Sequence, residues 1–124
     1  MLIKPILVAL MYKKYGYTCN ALQCNFINKY YKKKISGAEF ISIDPIKAQK
    51  YFDITLLPEY NDFLNEDLLI IGYDIRNHSI FFLSSGGDFY EIYDGMIVKR
   101  GSSFDKMIEN IKNGRKDEVI SMQL

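Results

Sequence analysis

Four short apolar and aromatic segments follow one another closely between residues 68 and 99, and this spacing limits the possible folds. They read DLLIIGYD, HSIFFLS, DFYEIYD and MIVK, and only short polar turns separate them. A parallel pair of strands needs a crossover connection of about a dozen or more residues, so these strands must be antiparallel. Asp94-Gly95, between the last two segments, is a strong hairpin signal. The sequence therefore predicts an antiparallel sheet at the centre of the molecule.

Helical patterns precede and follow these strands. Residues 20–34 place apolar side chains at helical spacing, and residues 102–114 form an amphipathic pattern that Ser102 is expected to cap. Residues 39–43 alternate as a short strand would. A chain of 124 residues fits one domain. We therefore predict a single α+β domain, residues 1–124, in which about four to six antiparallel strands are flanked by helices.

The segment Ser84–Gly87 contains two adjacent glycines, which raises the question of a phosphate-binding loop. Such a loop requires a helix N-terminus after the glycines, because the unpaired backbone N–H groups there bind the anion. Here an aromatic strand pattern starting at Asp88 follows instead, and no Gly-Lys-Ser/Thr motif occurs. We expect this segment to be a turn between strands.

The sequence offers little for catalysis. His78 is the only histidine, which excludes sites that need two, including the common zinc and iron sites. Glu91 and Asp94 fall on opposite faces of one strand, so they do not form a catalytic carboxylate pair. A pair assembled from distant segments remains open as a small hydrolase. We predict a protein without enzymatic activity, cofactor or metal.

The cysteines and the N-terminal apolar run bear on the compartment. Cys19 and Cys24 have neither a zinc nor a redox spacing, so we expect buried or inert thiols, with a structural disulfide as the alternative. This usage indicates a reducing compartment, which predicts a cytoplasmic protein. The run Pro5–Tyr12 is too short to span a bilayer and is expected to form a first strand or a buried helix. We therefore expect no membrane partner.

A net charge of +1 hides a strong division along the chain. Residues 39–98 contain eleven acidic residues and three basic ones, and such a surface attracts basic partners. Residues 1–38 contain no acidic residue, and Lys32–Lys34 at the end of a predicted helix are interpreted as its C-terminus. A nucleic-acid binder that uses this basic arm remains an alternative, although no nucleic acid is expected. The lysines of the arm are Lys4, Lys13, Lys14, Lys29, Lys32, Lys33 and Lys34.

The order of these parts resembles the SUKH superfamily, which includes cell-wall synthesis regulators of fungi and many bacterial and viral proteins. The resemblance covers about residues 36–113. Two features depart from the family pattern: LPEY at Leu57–Tyr60 occurs late, and the first polar turn lacks a glycine. The matching motifs are Ile71-Gly72, the turn Asp74–Asn77, Ile80–Leu83, Gly87–Tyr90, and Ser103-Phe104 with Met107-Ile108.

The resemblance implies an α+β domain with no enzymatic activity. It also implies an immunity protein, which neutralises a toxin domain, often a nuclease, by direct contact. The acidic middle of the chain fits a basic partner independently, because complementary charge speeds association. A regulatory or scaffold protein related to the cell-wall synthesis regulators is the alternative, and the protein is expected as a monomer or weak dimer.

Charge and expected exposure select the residues of the predicted partner surface. Acidic side chains would steer a basic partner, and tyrosines would supply rigid contact area with a polar end. The predicted partner-binding residues are Glu66, Asp67, Asp74, Asp88, Tyr90, Glu91, Tyr93 and Asp94.

Overall fold

The computed structural model describes residues 5–114 and the backbone of residues 118–121. The described part is a single α+β domain, as predicted, in which one antiparallel sheet is packed against helices. Lys4, the first lysine of the basic arm, lies outside the described residues. No helix in the described part of the chain is long and apolar enough to cross a bilayer.

The strands pair in chain order, so the sheet is a meander of six strands, and every pairing is antiparallel. All four predicted central strands form. No sequence pattern indicated the last strand, and the strand expected over residues 39–43 shortens to two residues. The strands are β1 (Ile41–Ser42), β2 (Leu68–Asp74), β3 (Ile80–Ser84), β4 (Phe89–Tyr93), β5 (Met96–Gly101) and β6 (Glu118–Ser121).

Five α-helices and one short 3-10 helix, Ile54–Leu56, are found in the described residues. Asn20 caps the second helix through a capping box, and Asp44 with Pro45 begins the third. Ser103, and not the predicted Ser102, caps the last helix, because its side chain accepts the Lys106 N–H. The α-helices are α1 (Ile6–Tyr15), α2 (Ala21–Tyr30), α3 (Pro45–Gln49), α4 (Leu57–Leu64) and α5 (Phe104–Lys112).

Helices cover both faces of the sheet. Neighbouring residues of a strand point to opposite sides, so an apolar strand presents side chains to the helices on each face. Phe89 packs edge-on against Phe26 of α2 and also contacts Phe104 of α5. On the other face, Phe82 packs edge-on against Phe52, which follows α3. The central strands are therefore buried on both sides, which explains their nearly continuous apolar sequence.

The expected N-terminal element forms as the helix α1, although only one side of it is buried. Val8 and Tyr12 belong to the core, and the Tyr12 hydroxyl donates a hydrogen bond of 2.6 Å to the Ile70 carbonyl of β2. Just after this helix, Cys19 and Cys24 are joined in a disulfide. The expectation of inert thiols is therefore wrong, because the N-terminal turn of α2 brings the two Cα atoms to 5.9 Å.

The short strand β1 approaches β2 closely at Gly72. A Cβ atom at this position would lie 2.1 Å from the Ser42 carbonyl oxygen, a backbone atom that cannot move aside easily. Glycine is therefore required here for a steric reason. At Gly16, by contrast, a Cβ atom would meet nothing within 4 Å, although the φ angle of +79° is unfavourable for other residues.

Gly72→Ala is expected to lower the free energy of unfolding by about 3 kcal/mol, because the added methyl group forces β1 away from β2. Gly16→Ala serves as the control and should cost only about 1 kcal/mol, from backbone strain alone. Urea denaturation followed by circular dichroism measures both values. Equal losses in the two variants would contradict the close approach at Gly72.

Buried tyrosines make the fold sensitive to alkaline pH. Burial raises the pKa of Tyr12 well above its ordinary value, and burial also raises the pKa of Tyr17 and of Tyr60. In the unfolded chain these phenols titrate near about pH 10, so the unfolded state loses protons first. Their contribution to stability is complete below that pH and declines as the pH rises above it.

Spectrophotometric titration is expected to show two groups of tyrosines. Tyr12, Tyr17 and Tyr60, whose pKa values are raised, form the late group and should ionise only together with the loss of near-ultraviolet circular dichroism. Tyr12→Phe should leave one fewer phenol in the late group. Ionisation of all ten tyrosines in a single transition before unfolding would contradict the burial of these three side chains.

Candidate binding cleft

The eight residues predicted to form one partner surface lie in three separate places. Two of these places are opposite ends of the sheet, separated by strands of about 17–20 Å. Buried in the sheet are Asp74, Tyr90 and Glu91; at the end where β2 begins are Glu66, Asp67 and Asp88; at the opposite end are Tyr93 and Asp94. The expected exposure is therefore wrong for the first three, and the other five do not share one surface.

Glu91 is buried because it belongs to an internal ion pair. Its Oε1 accepts hydrogen bonds from the Arg100 guanidinium, with Nε and NH2 both at 2.7 Å, and Ser79 Oγ donates to its Oε2. A bulge in β5 places one extra residue, Arg100, between the positions that pair with Phe89 and Tyr90. Glu91 therefore stabilises the sheet and is not available to a partner.

Asp74 has a similar internal role at the end of β2. Its carboxylate accepts two hydrogen bonds from the Arg76 guanidinium, at 2.8 and 3.1 Å, and one from the Arg76 backbone N–H. The Arg76 guanidinium also lies 3.7 Å above the Phe40 ring. The sequence predicts an exposed carboxylate next to a polar turn. In the structure the carboxylate is buried, and it holds the turn through its hydrogen bonds to Arg76.

Arg100→Met is expected to destabilise the protein by about 3–5 kcal/mol, because it leaves the Glu91 carboxylate buried without its cation. Lys106→Met is the matched control, since the Lys106–Glu109 pair is half exposed and 3.9 Å apart. Its loss should be within about 0.5 kcal/mol. Urea denaturation gives both values, and a small effect at Arg100 would refute the structural role of Glu91.

Glu66, Asp67 and Asp88 surround the turn between β3 and β4. Glu66 accepts hydrogen bonds from Ser85 Oγ at 2.6 Å and from the Gly86 N–H at 3.0 Å, so its carboxylate closes this turn. Asp88 lies 3.6 Å from the Lys99 ammonium. Two of these three carboxylates thus have internal partners, and this end of the sheet is mainly a structural junction.

The opposite end of the sheet contains a cleft of about 310 Å³. One wall is formed by the turn between β2 and β3 and by the β4–β5 hairpin. The other wall is formed by the segment after α3, the 3-10 helix and the first half of α4. The lining residues are Tyr51, Phe52, Asp53, Leu56, Tyr60, Asn77, His78, Ser79, Ile80, Ile92, Tyr93, Asp94 and Gly95.

Turn chemistry positions two of the polar side chains in this cleft. Asp94 and Gly95 have φ angles of 48° and 74°, as a two-residue hairpin turn with left-handed residues requires. His78 also has a positive φ of 60°, and its N–H donates to the Asp74 carbonyl. Asn77 accepts the Ser79 N–H, which closes the same turn. Both turns are therefore fixed by local hydrogen bonds and sequence.

An aromatic stack stands at the cleft opening. The His78 and Tyr51 rings are 4.2 Å apart and nearly parallel, at an angle of 6°, and Tyr51 also contacts Tyr73. Tyr51 remains 50% exposed. An exposed aromatic ring that is held by a second ring offers contact area at small entropic cost.

The charge of the cleft is negative. Asp94 is exposed at the hairpin turn, and Asp53 lies on the opposite wall. Hydrogen bonds from the Thr55 hydroxyl and backbone N–H lower the pKa of Asp53, which favours its ionised form. Among the described residues that line the cleft, none is Lys or Arg. The site therefore combines π-faces with carboxylates, a combination that attracts cationic groups.

The same cleft bears on the hydrolase alternative. Asp53 and Asp94 line it together, but a glycosidase needs one carboxyl group with a raised pKa as the general acid. The pKa of Asp53 moves in the opposite direction. Across residues 5–114, no group of three or more His, Cys, Asp or Glu side chains is placed to hold a metal ion.

Comparisons with known proteins add no family to this description. No family model matches the chain, and searches of curated proteins and of solved structures also find no match.

Sequence reasoning missed three residues of this cleft: Tyr51, Asp53 and His78. Tyr51 lies just beyond the end of α3 at Gln49, and its ring is half exposed. His78 lies in the turn between β2 and β3. The one available signal was the Asn77-His78 pair, since both residue types are enriched at positive φ.

Proposed function

We propose that this protein is a non-enzymatic binding module that holds a basic protein partner through the cleft at the β4–β5 hairpin. A single observation carries this proposal: Tyr51, His78, Asp53 and Asp94 line one opening without a cation of the protein among the described residues there. A Lys or Arg side chain of the partner would lie over the aromatic rings and meet the two carboxylates.

The energetics of such a contact favour this cleft over the other acidic sites. Interfaces depend on a few rigid aromatic or charged anchors, surrounded by contacts that contribute little. Tyr51 and Tyr93 are suitable anchors, and the position of Asp94 on an exposed turn suits electrostatic steering. Glu66 and Glu91 are less suitable because other side chains of the protein already hold them.

At a finer level, we propose that the module is an immunity protein that neutralises a nuclease-type toxin. The SUKH-like order of motifs in the sequence supports this proposal, as does the acidic middle of the chain. A nuclease has a basic groove for its substrate, and an acidic protein can occupy that groove. The immunity function predicts that a gene for a large toxin adjoins the gene for this protein.

A regulatory or scaffold protein is the second proposal, supported by the same SUKH resemblance. It would use the same cleft to hold a basic segment of a host protein. The two functions differ in the number and identity of partners, since an immunity protein has one tight partner and a scaffold has several weaker ones.

Affinity capture from a lysate of the source cells tests the proposed function. Wild-type protein should retain one basic protein at equal stoichiometry, and higher salt should weaken its retention. Asp94→Lys should slow association about tenfold, because it reverses the charge at the cleft opening. Asp105→Lys is the matched control on exposed α5 and should bind as the wild type does.

Tyr51→Ala should speed dissociation about tenfold without a change in thermal stability, because the ring is half exposed. Equal capture by Asp94→Lys and Asp105→Lys would place the contact outside the cleft. The captured protein is then co-expressed with and without this chain. Toxicity that the wild type suppresses supports the immunity function, and many weak partners without toxicity support the scaffold.

A further inference from the structure

The outer side of α1 is an apolar patch on the protein surface. Ile6, Leu7 and Leu10 are 71%, 70% and 57% exposed, whereas Val8 and Tyr12 on the inner side belong to the core. A helix that is apolar all round is normally covered all round. None of the described residues covers this outer side.

A shallow apolar groove continues the patch toward α3. It has a volume of about 300 Å³, and its described lining residues include two lysines and no acidic residue. The groove is lined by Leu10, Met11, Lys14, Tyr15, Ile46, Gln49 and Lys50. The aliphatic stems of lysines extend such a surface while their ammonium groups remain at its rim.

The charge around the patch selects its occupant. Lys13 and Lys14 are exposed in the last turn of α1, and their spacing of three and four residues from Leu10 places them on its side of the helix. An occupant that complements this side of α1 is therefore apolar and negatively charged, which a second copy presenting the same lysines is not.

We propose that α1 lies in the interface of an anionic lipid membrane, independently of the cleft that binds the protein partner. Ile6, Leu7 and Leu10 enter the boundary between headgroups and acyl chains, while Lys13 and Lys14 contact anionic headgroups. A helix that lies on a membrane needs only one apolar face, so its short length is no obstacle. This replaces the expectation of no membrane partner.

The exposure of the three apolar side chains favours a membrane over an acidic protein. At about two-thirds exposure they project from the surface, as inserting side chains do. An acidic partner helix would instead require a recess that receives its own side chains. The groove beside Leu10 is shallow and does not supply that recess alone.

Co-sedimentation of the full chain with lipid vesicles tests the proposal. Binding is expected to vesicles of phosphatidylcholine mixed with phosphatidylglycerol, and not to phosphatidylcholine alone. Lys13→Gln with Lys14→Gln should weaken binding about 25-fold, from about fivefold for each lysine. Leu7→Gln with Leu10→Gln should weaken it at least about tenfold, because less apolar surface is buried.

Two control variants separate the patch from general charge and general apolar exposure. Lys33→Gln with Lys34→Gln removes two exposed lysines elsewhere, and Phe63→Gln removes an apolar side chain that is also half exposed. Both should bind vesicles much more tightly than the α1 variants, and circular dichroism should show that all four variants are folded.

Each result of the vesicle experiment either supports or overturns the membrane proposal. Binding to anionic vesicles that the α1 variants lose and the controls keep supports the proposal. Failure to bind either vesicle, or equal binding to both, overturns it. A wild-type dimer that Leu7→Gln with Leu10→Gln converts to a monomer, without vesicle binding, also overturns it and assigns the patch to a second copy. None of these results depends on the Asp94 cleft.

Discussion

The register between β3 and β4 is the constraint on which the rest of the structure depends. Phe81 lies opposite Glu91 and Phe82 lies opposite Tyr90, so each face of the sheet receives its own set of side chains. A slip of one residue would turn Glu91 toward the other face. It would then lose Ser79 and Arg100, and a buried carboxylate without a cation is strongly unfavourable. The ion pair thus selects one register among those that apolar packing alone would permit.

The parts of the fold that depend on local sequence patterns were predictable, and those that depend on contacts between distant segments were not. The antiparallel sheet follows from the spacing of its strands, and the starts of α2 and α3 follow from Asn20 and Asp44. The burial of Glu91 could not be predicted from the sequence, because it depends on a bulge in β5 that no local sequence pattern indicates. Likewise, no sequence pattern indicated that the Tyr51 ring would lie outside the core.

The candidate site was predictable only in part, for a related reason. Tyr93 and Asp94 lie at the Asp94-Gly95 hairpin signal, and hairpin turns are exposed. Tyr51 and His78 come from different segments, and only the completed sheet brings their rings together. Acidic residues in similar sequence contexts therefore have different roles. Those that pair with an arginine are buried and structural, as Glu91 is, whereas Asp94 is exposed. Composition predicts the sign of a surface but not which of its charges are accessible.

The hydrogen bond from Tyr12 to Ile70 has a consequence for association between chains. Strand β1 pairs with only Tyr73 and Asp74 of β2, so among the described residues most of β2 has no neighbouring strand on that side. An edge of this kind is a template on which another chain can add a strand. The Tyr12 hydroxyl takes one backbone acceptor there, and Gly72 brings the chain after β1 against the same edge. The N-terminal helix therefore also protects the molecule against aggregation through its sheet.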